Sequence, residues 1–262
     1  MTKYNIFHKK KQPAFFLHIP KTGGSHTSQN YKSNQSPIWP IEMHGHCYFV
    51  HAPNIINYLY YPHMKDWYYR TTVNIEEINN KFIFSIVRNI FDWLVSYLDH
   101  AAGWTPNYKN TEHYDYEIAN KGFDYLINTI ANREYPWPSR KFIFFQLFAS
   151  NGDFVVDWIN RKESLDDDLA QMAKYAGLKY KARGKKRVGS HKDYREYYND
   201  SIIELVNRTW GREQKIFGYD FDGHDKNKAI LHHKINSHTR SLLKYNLEEN
   251  SLWFNNMRLT ND

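Results

Sequence analysis

The chain has 262 residues, with 35 lysines and arginines against 28 acidic residues and a single cysteine, Cys47. One cysteine excludes an internal disulfide framework and any multi-cysteine zinc site, and a chain of this length buries most of its apolar surface without such staples. A net charge of +7 and a pI near 9.1 favour anionic partners, while 41% hydrophobic residues exclude wholesale disorder.

Taken in chain order, the first apolar run covers residues 14–19 and reads as a buried strand. It is far shorter than the ~20 residues of a membrane helix, and no later stretch comes closer, so no membrane span and a cytoplasmic location are expected. A second strand is expected over 81–87, followed by a helix with Phe91, Leu94, Val95, Leu98 and Ala102 on one face. Residues 103–138 are polar and aromatic with weaker periodicity, and read as an insertion over the site. A third strand over 154–159 precedes a helix carrying Leu165, Leu169, Met172, Ala173 and Ala176, ended by Gly177. Ser201 and Glu204 have capping-box spacing ahead of a further helix. Residues 1–222 would form the main domain and 223–262 a polar, histidine-rich extension with one helix over 229–245. Strands alternating with amphipathic helices imply an α/β fold with a mostly parallel sheet, whose ligands sit at the carboxyl ends of the strands.

The first strand is followed by Pro20-Lys21-Thr22-Gly23-Gly24-Ser25-His26. A glycine turn running into a helix start gathers backbone N–H groups and a positive dipole end around one point, a seat for a phosphate to which Lys21 adds a full charge. In the triphosphatase loop the lysine follows the last glycine and precedes a magnesium-binding Ser or Thr. Here the lysine comes first, and the second strand ends in Arg88 rather than an aspartate, so no metal site is expected. An ordinary Gly-Gly turn is the bland alternative for Lys21 to Ser25.

These residues resemble a known family. His18-Ile19-Pro20-Lys21-Thr22-Gly23-Gly24-Ser25 is similar to the 5′-phosphosulfate loop of sulfotransferases that use 3′-phosphoadenosine 5′-phosphosulfate (PAPS), in the heparan 2-O-sulfotransferase branch with its bacterial carbohydrate counterparts. The stretch from Val87-Arg88-Asn89 to Ser96-Tyr97 resembles its 3′-phosphate segment, and residues 159–168 and 217–221 resemble further landmarks in family order. The resemblance implies a P-loop NTPase-like three-layer fold, the central sheet flanked by helices. It implies PAPS as sulfuryl donor and 3′-phosphoadenosine 5′-phosphate (PAP) as product. Lys21, Thr22, Gly23, Gly24, Ser25 and His26 would hold the 5′ end, Arg88 and Ser96 the 3′-phosphate. An ion pair of Arg88 with Asp92 is the competing reading. One departure from the family stands out: residues 25–31 are almost without apolar side chains.

Glu42-Met43-His44-Gly45-His46-Cys47 carries two imidazoles that would share one face of an extended segment. A neutral imidazole can accept a hydroxyl proton. The His-Gly-His pattern resembles that of the same branch, which implies a histidine base, His46 with His44 as assistant or acceptor-binding group, or the two in reverse order; two structural histidines, or two metal ligands lacking a third, are the alternatives. The segment 181–192 is the most basic of the chain, and Ser190 and Lys192 are its candidates for the 3′-phosphate. It could also be a solvated loop or a track for a phosphate backbone, although nucleic acid is not expected as a partner. The reading is therefore a PAPS-dependent sulfotransferase acting on a hydroxyl acceptor, a carbohydrate foremost. A P-loop nucleotide kinase and a non-catalytic binder of anionic polymers are the alternatives.

Overall fold

The structure, a computed structural model, describes residues 14–19, 21–24, 26–27, 42–45, 48–50, 72–74, 82–103, 115–132, 147, 154–177, 180, 182 and 191–229. In chain order its elements are β1 (Ala14–His18), β2 (Glu42–Gly45), β3 (Tyr48–Val50), β4 (Thr72–Asn74) and β5 (Phe82–Val87). Then come α1 (Ile90–Ala101), α2 (Tyr116–Ala131), β6 (Trp158–Arg161), α3 (Leu165–Ala176), α4 (Asp200–Phe217), β7 (Tyr219–Asp220) and β8 (Gly223–His224). The chain forms the expected α/β fold, with a parallel sheet and helices following its strands. It divides into two compact units, residues 1–86, 144–183 and 233–262 in one, and 87–143 and 184–232 in the other.

The first unit is built on a sheet of order β2-β1-β5-β6. Strand β1 pairs in parallel with β2 (Leu17 beside His44) and with β5 (Leu17 beside Ser85). The continuous apolar run of β1 follows from this central position, because both faces are covered: Ala14, Phe16 and Leu17 are all buried. Phe16 stacks on Phe84 of the neighbouring strand at 5.0 Å between ring centroids. These rings, Ile86 and Trp158 pack with Leu165, Leu169 and Met172, the i, i+4, i+7 face of α3. Burying side chains such as Leu169 and Met172 contributes about 2 kcal/mol each.

Polar groups lock the strand ends together. The Ser85 hydroxyl donates to the Leu17 carbonyl at 2.7 Å, and the Asn160 amide donates to the Ser85 carbonyl at 3.1 Å, bridging β1, β5 and β6. Asp157 exchanges bonds with Ile83 in both directions: its N–H donates to the Ile83 carbonyl and its carboxylate accepts the Ile83 N–H. This clamp explains a shift from the sequence expectation. The strand expected over 154–159 lies at Trp158–Arg161, because pairing begins after Asp157, while the buried Phe154–Val156 stretch precedes it; Val155 bonds instead to Leu147.

In the second unit, Asn89 caps α1 by accepting the Phe91 N–H, and its amide reaches the Asp220 carbonyl at 2.9 Å, tying the helix start to the β7–β8 hairpin. Helix α1 is buried on nearly every side, Ser96 and Asp99 included, so its apolar stripe is wider than the expected single face. Phe91 meets Tyr198 and Phe221 edge-on, and the Tyr198 hydroxyl donates to the Phe91 carbonyl. The stretch read as a weakly periodic insertion contains α2, capped by Asp115. Its stripe of Ile118, Phe123, Leu126, Ile127 and Ile130 slips phase at Gly122, where the backbone leaves helical geometry. Helix α4 starts one residue before Ser201: Asn199, not Ser201, caps it by accepting the Ile202 N–H, and the Ser201 hydroxyl donates to that same cap. The expected helix over 229–245 lies outside the described residues but for Ala229.

Glu213 on α4 is buried, and desolvation pushes its carboxyl from 4.5 up to about 7. The folded state then holds a proton that the unfolded chain releases above pH 4.5, so stability falls as pH rises from there to about 7. Glu213→Gln should match the unaltered chain below pH 4.5 and exceed it by about 3 kcal/mol at pH 7 and above. Paired denaturant titrations across this range check it; two parallel pH curves would contradict it.

Candidate functional site

Strands β2, β1 and β5 run in parallel, so their carboxyl ends lie on one edge of the first unit's sheet. The turn after β1 leaves from that edge, and its conformation is specified almost residue by residue. The Thr22 hydroxyl is buried and donates to the Ile19 carbonyl at 2.8 Å, closing the turn. Lys21 adopts φ 64°, the left-handed region, at a cost of about 1–2 kcal/mol for a residue with a side chain. It is the one non-glycine residue there among those described. Gly23 follows with φ 103°. The Gly23 carbonyl accepts both the N–H and the hydroxyl of Thr27, at 3.1 and 3.2 Å, which starts a helical turn directly after the glycines.

Neither glycine can be replaced without displacing a neighbour. A Cβ on Gly24 would lie 2.0 Å from Nε2 of His18, so the last residue of β1 lays its ring on the turn that follows it. Burial pushes His18 down to about 4, which leaves it neutral at pH 7. A Cβ on Gly23 would come within 3.0 Å of Leu165 and of the Lys162 stem. The turn after β1 therefore packs against the segment after β6, and Lys162 brings a second cationic side chain to it.

His26 completes this neighbourhood. Its Nε2 lies 2.8 Å from Oδ1 of Asp166 in the first turn of α3, and the Tyr180 hydroxyl donates to the same oxygen at 2.5 Å. Desolvation raises the Asp166 carboxyl, but the hydrogen bonds from Tyr180 and His26, with charge from His26 and Lys162, outweigh it and hold the group below its ordinary value. Sequence reasoning missed His18, Lys162, Asp166 and Tyr180. Asp166 and Lys162 fall within a stretch recognised as a landmark, but a contact spanning 140 residues leaves no local trace.

The remaining candidates fall in different places. His44 stands on β2 in register with Leu17, so its backbone belongs to the same edge. Ser25, His46 and Ser190 lie outside the described residues. In the second unit, the buried Arg88 binds Asp92 at 2.6 Å through Nε, the ion pair weighed against a phosphate role. Ser96 is buried on α1, and Lys192 is 74% exposed beside Glu196. Among the described residues no group of three or more His, Cys, Asp or Glu side chains is placed to hold a metal ion, and no helix is long and apolar enough to cross a membrane.

No family model and no curated protein matches the chain. Among solved structures it is similar to the mouse sulfotransferase SULT7A1 complexed with PAP, at 12% identity and a TM-score of 0.45, covering 79% of this chain and 84% of that one.

Two substitutions separate strain from function in the turn. Lys21→Gly removes the left-handed penalty and should leave the melting temperature unchanged or raised. Gly24→Ala drives a methyl group into the His18 ring and should cost about 1–3 kcal/mol. Thermal unfolding of both variants tests this; destabilisation by Lys21→Gly with tolerance of Gly24→Ala would refute the packing described.

Proposed function

We propose that the chain is a sulfotransferase, moving the sulfuryl group of PAPS to a hydroxyl of a carbohydrate acceptor and releasing PAP. The observation that carries this reading is the left-handed Lys21 on a glycine turn at the carboxyl edge of a parallel sheet, running straight into a helical turn. Alternating right- and left-handed residues turn successive N–H groups to one side, and strain of this kind persists where a site uses it. The motif resemblance, in order along the chain, selects a phosphosulfate over other anions.

In this reading the backbone of Thr22, Gly23, Gly24 and Ser25 cradles the 5′-phosphosulfate with Lys21 and His26. Thr22 contributes through its N–H, since its hydroxyl proton is given to Ile19. Arg88 and Ser96 take the 3′-phosphate, with Ser190 and Lys192 from the basic segment; Arg88 must then share its guanidinium between Asp92 and the phosphate. His46, assisted by His44, accepts the acceptor's hydroxyl proton as the oxygen bonds to sulfur. The bond from sulfur to the bridging oxygen breaks, and that oxygen leaves with its electron pair on the 5′-phosphate, where Lys21 steadies it. A transferred sulfuryl group carries less negative charge than a γ-phosphoryl group, so cationic side chains and amides suffice without a divalent ion.

The test is a thermal-shift comparison of PAP with ATP and magnesium. PAP at 100 times its dissociation constant should stabilise the chain by about 2.7 kcal/mol, and turnover of PAPS should survive a chelator. Lys21→Ala should reduce that turnover by about a hundredfold or more. Stabilisation by ATP with magnesium alone would select a kinase, and salt-sensitive polymer binding without affinity for PAP would select a non-catalytic binder.

A further inference from the structure

The contact between His26 and Asp166 does more than tie a turn to a helix. The acidic side chain that serves the start of α3 is Asp168, which accepts the Arg161 N–H at 2.7 Å and the Ser164 hydroxyl at 3.0 Å. Asp166, two residues earlier, is committed instead to His26 and to Tyr180, partners 140 and 14 residues away, both on one oxygen. An ionised carboxylate only accepts hydrogen bonds, so Nε2 of His26 must carry the proton. The tautomer is thereby set: Nδ1 is the atom whose protonation changes the charge of the ring. The Tyr180 hydroxyl keeps that carboxylate in place. The imidazole is 14% exposed, enclosed but not sealed, one helical step beyond the turn that carries Lys21.

We propose that Asp166, braced by Tyr180, is a positioning residue for His26, holding the ring in the orientation in which it lines the seat of the donor's 5′ phosphate end. The proposal rests on the sulfotransferase reading, and deepens it by adding a side chain from the segment after β6. Asp166 acts through His26 and does not touch the donor. A purely structural tie would make the two residues matter for stability alone. A positioning pair makes them matter for affinity together.

A double-mutant cycle read by calorimetric titration with PAP distinguishes these. Asp166→Asn keeps the shape and loses the charge, and should weaken PAP binding about tenfold with little change in melting temperature. His26→Gln should weaken it at least as much, and in the His26→Gln background Asp166→Asn should cost nothing further. Tyr180→Phe, a milder change, should weaken binding two- to threefold (roughly, for one neutral hydrogen bond). Imidazole 15N spectra provide a readout independent of the donor: protonation of His26 at Nε2 in the unaltered chain, redistributed in Asp166→Asn. Additive losses, unchanged affinity in Asp166→Asn, or an affinity loss that tracks unfolding would overturn the proposal and leave the sulfotransferase reading standing. Absence of PAP binding by the unaltered chain would overturn both.

Discussion

The arrangement of the first unit depends on one close approach, the His18 ring lying on the backbone of Gly24. His18 is the last residue of β1 and Gly24 opens the helical turn six residues later, so the contact folds the intervening segment back onto the strand that delivers it. A Cβ at Gly24 would overlap the His18 ring, so the ring or the turn would have to shift. The other features follow from this closeness. The chain must reverse within a few residues, which places Lys21 in a left-handed conformation, and Thr22 and Thr27 spend their hydroxyls on the carbonyls of Ile19 and Gly23 to hold the reversal. Burial keeps this ring neutral at pH 7 by depressing the His18 pKa to about 4.

That choice couples the turn to pH in the sense opposite to Glu213. His18 protonates in the unfolded chain near 6.5 but in the folded one only near 4, so its contribution weakens stability as pH falls between those values. Glu213 weakens stability as pH rises between 4.5 and about 7. Over their shared range the two slopes oppose each other. Each buried group is therefore tolerated at a different end of the pH scale.

The fold class was legible because its signals are local. The buried runs that became β1 and β5, the glycine turn between Lys21 and the helix start, and the Leu165–Leu169–Met172 stripe ended by Gly177 are all periodic or positional patterns. What failed were boundaries governed by distant partners. Strand β6 begins where Asp157 meets Ile83, 74 residues away, and α2 hid behind a phase slip at Gly122. The cap of α4 went to Asn199 because an extended asparagine there competes with the Ser201 capping box, a choice that composition does not rank. Within the site, the turn was readable and its supports were not. Asp166, Tyr180 and Lys162 reach it only through tertiary packing: Asp166 and Tyr180 through the bond to His26, Lys162 through its stem beside Gly23.

On the proposed function, the backbone of this turn receives a phosphate. Selective 15N labelling of glycine, followed by titration with PAP, observes the Gly23 and Gly24 amides directly. Both signals should move downfield and saturate together, while the Gly177 and Gly211 signals stay in place. Unmoved Gly23 and Gly24 amides at saturating PAP, or shifts spread evenly over all glycines, would contradict it.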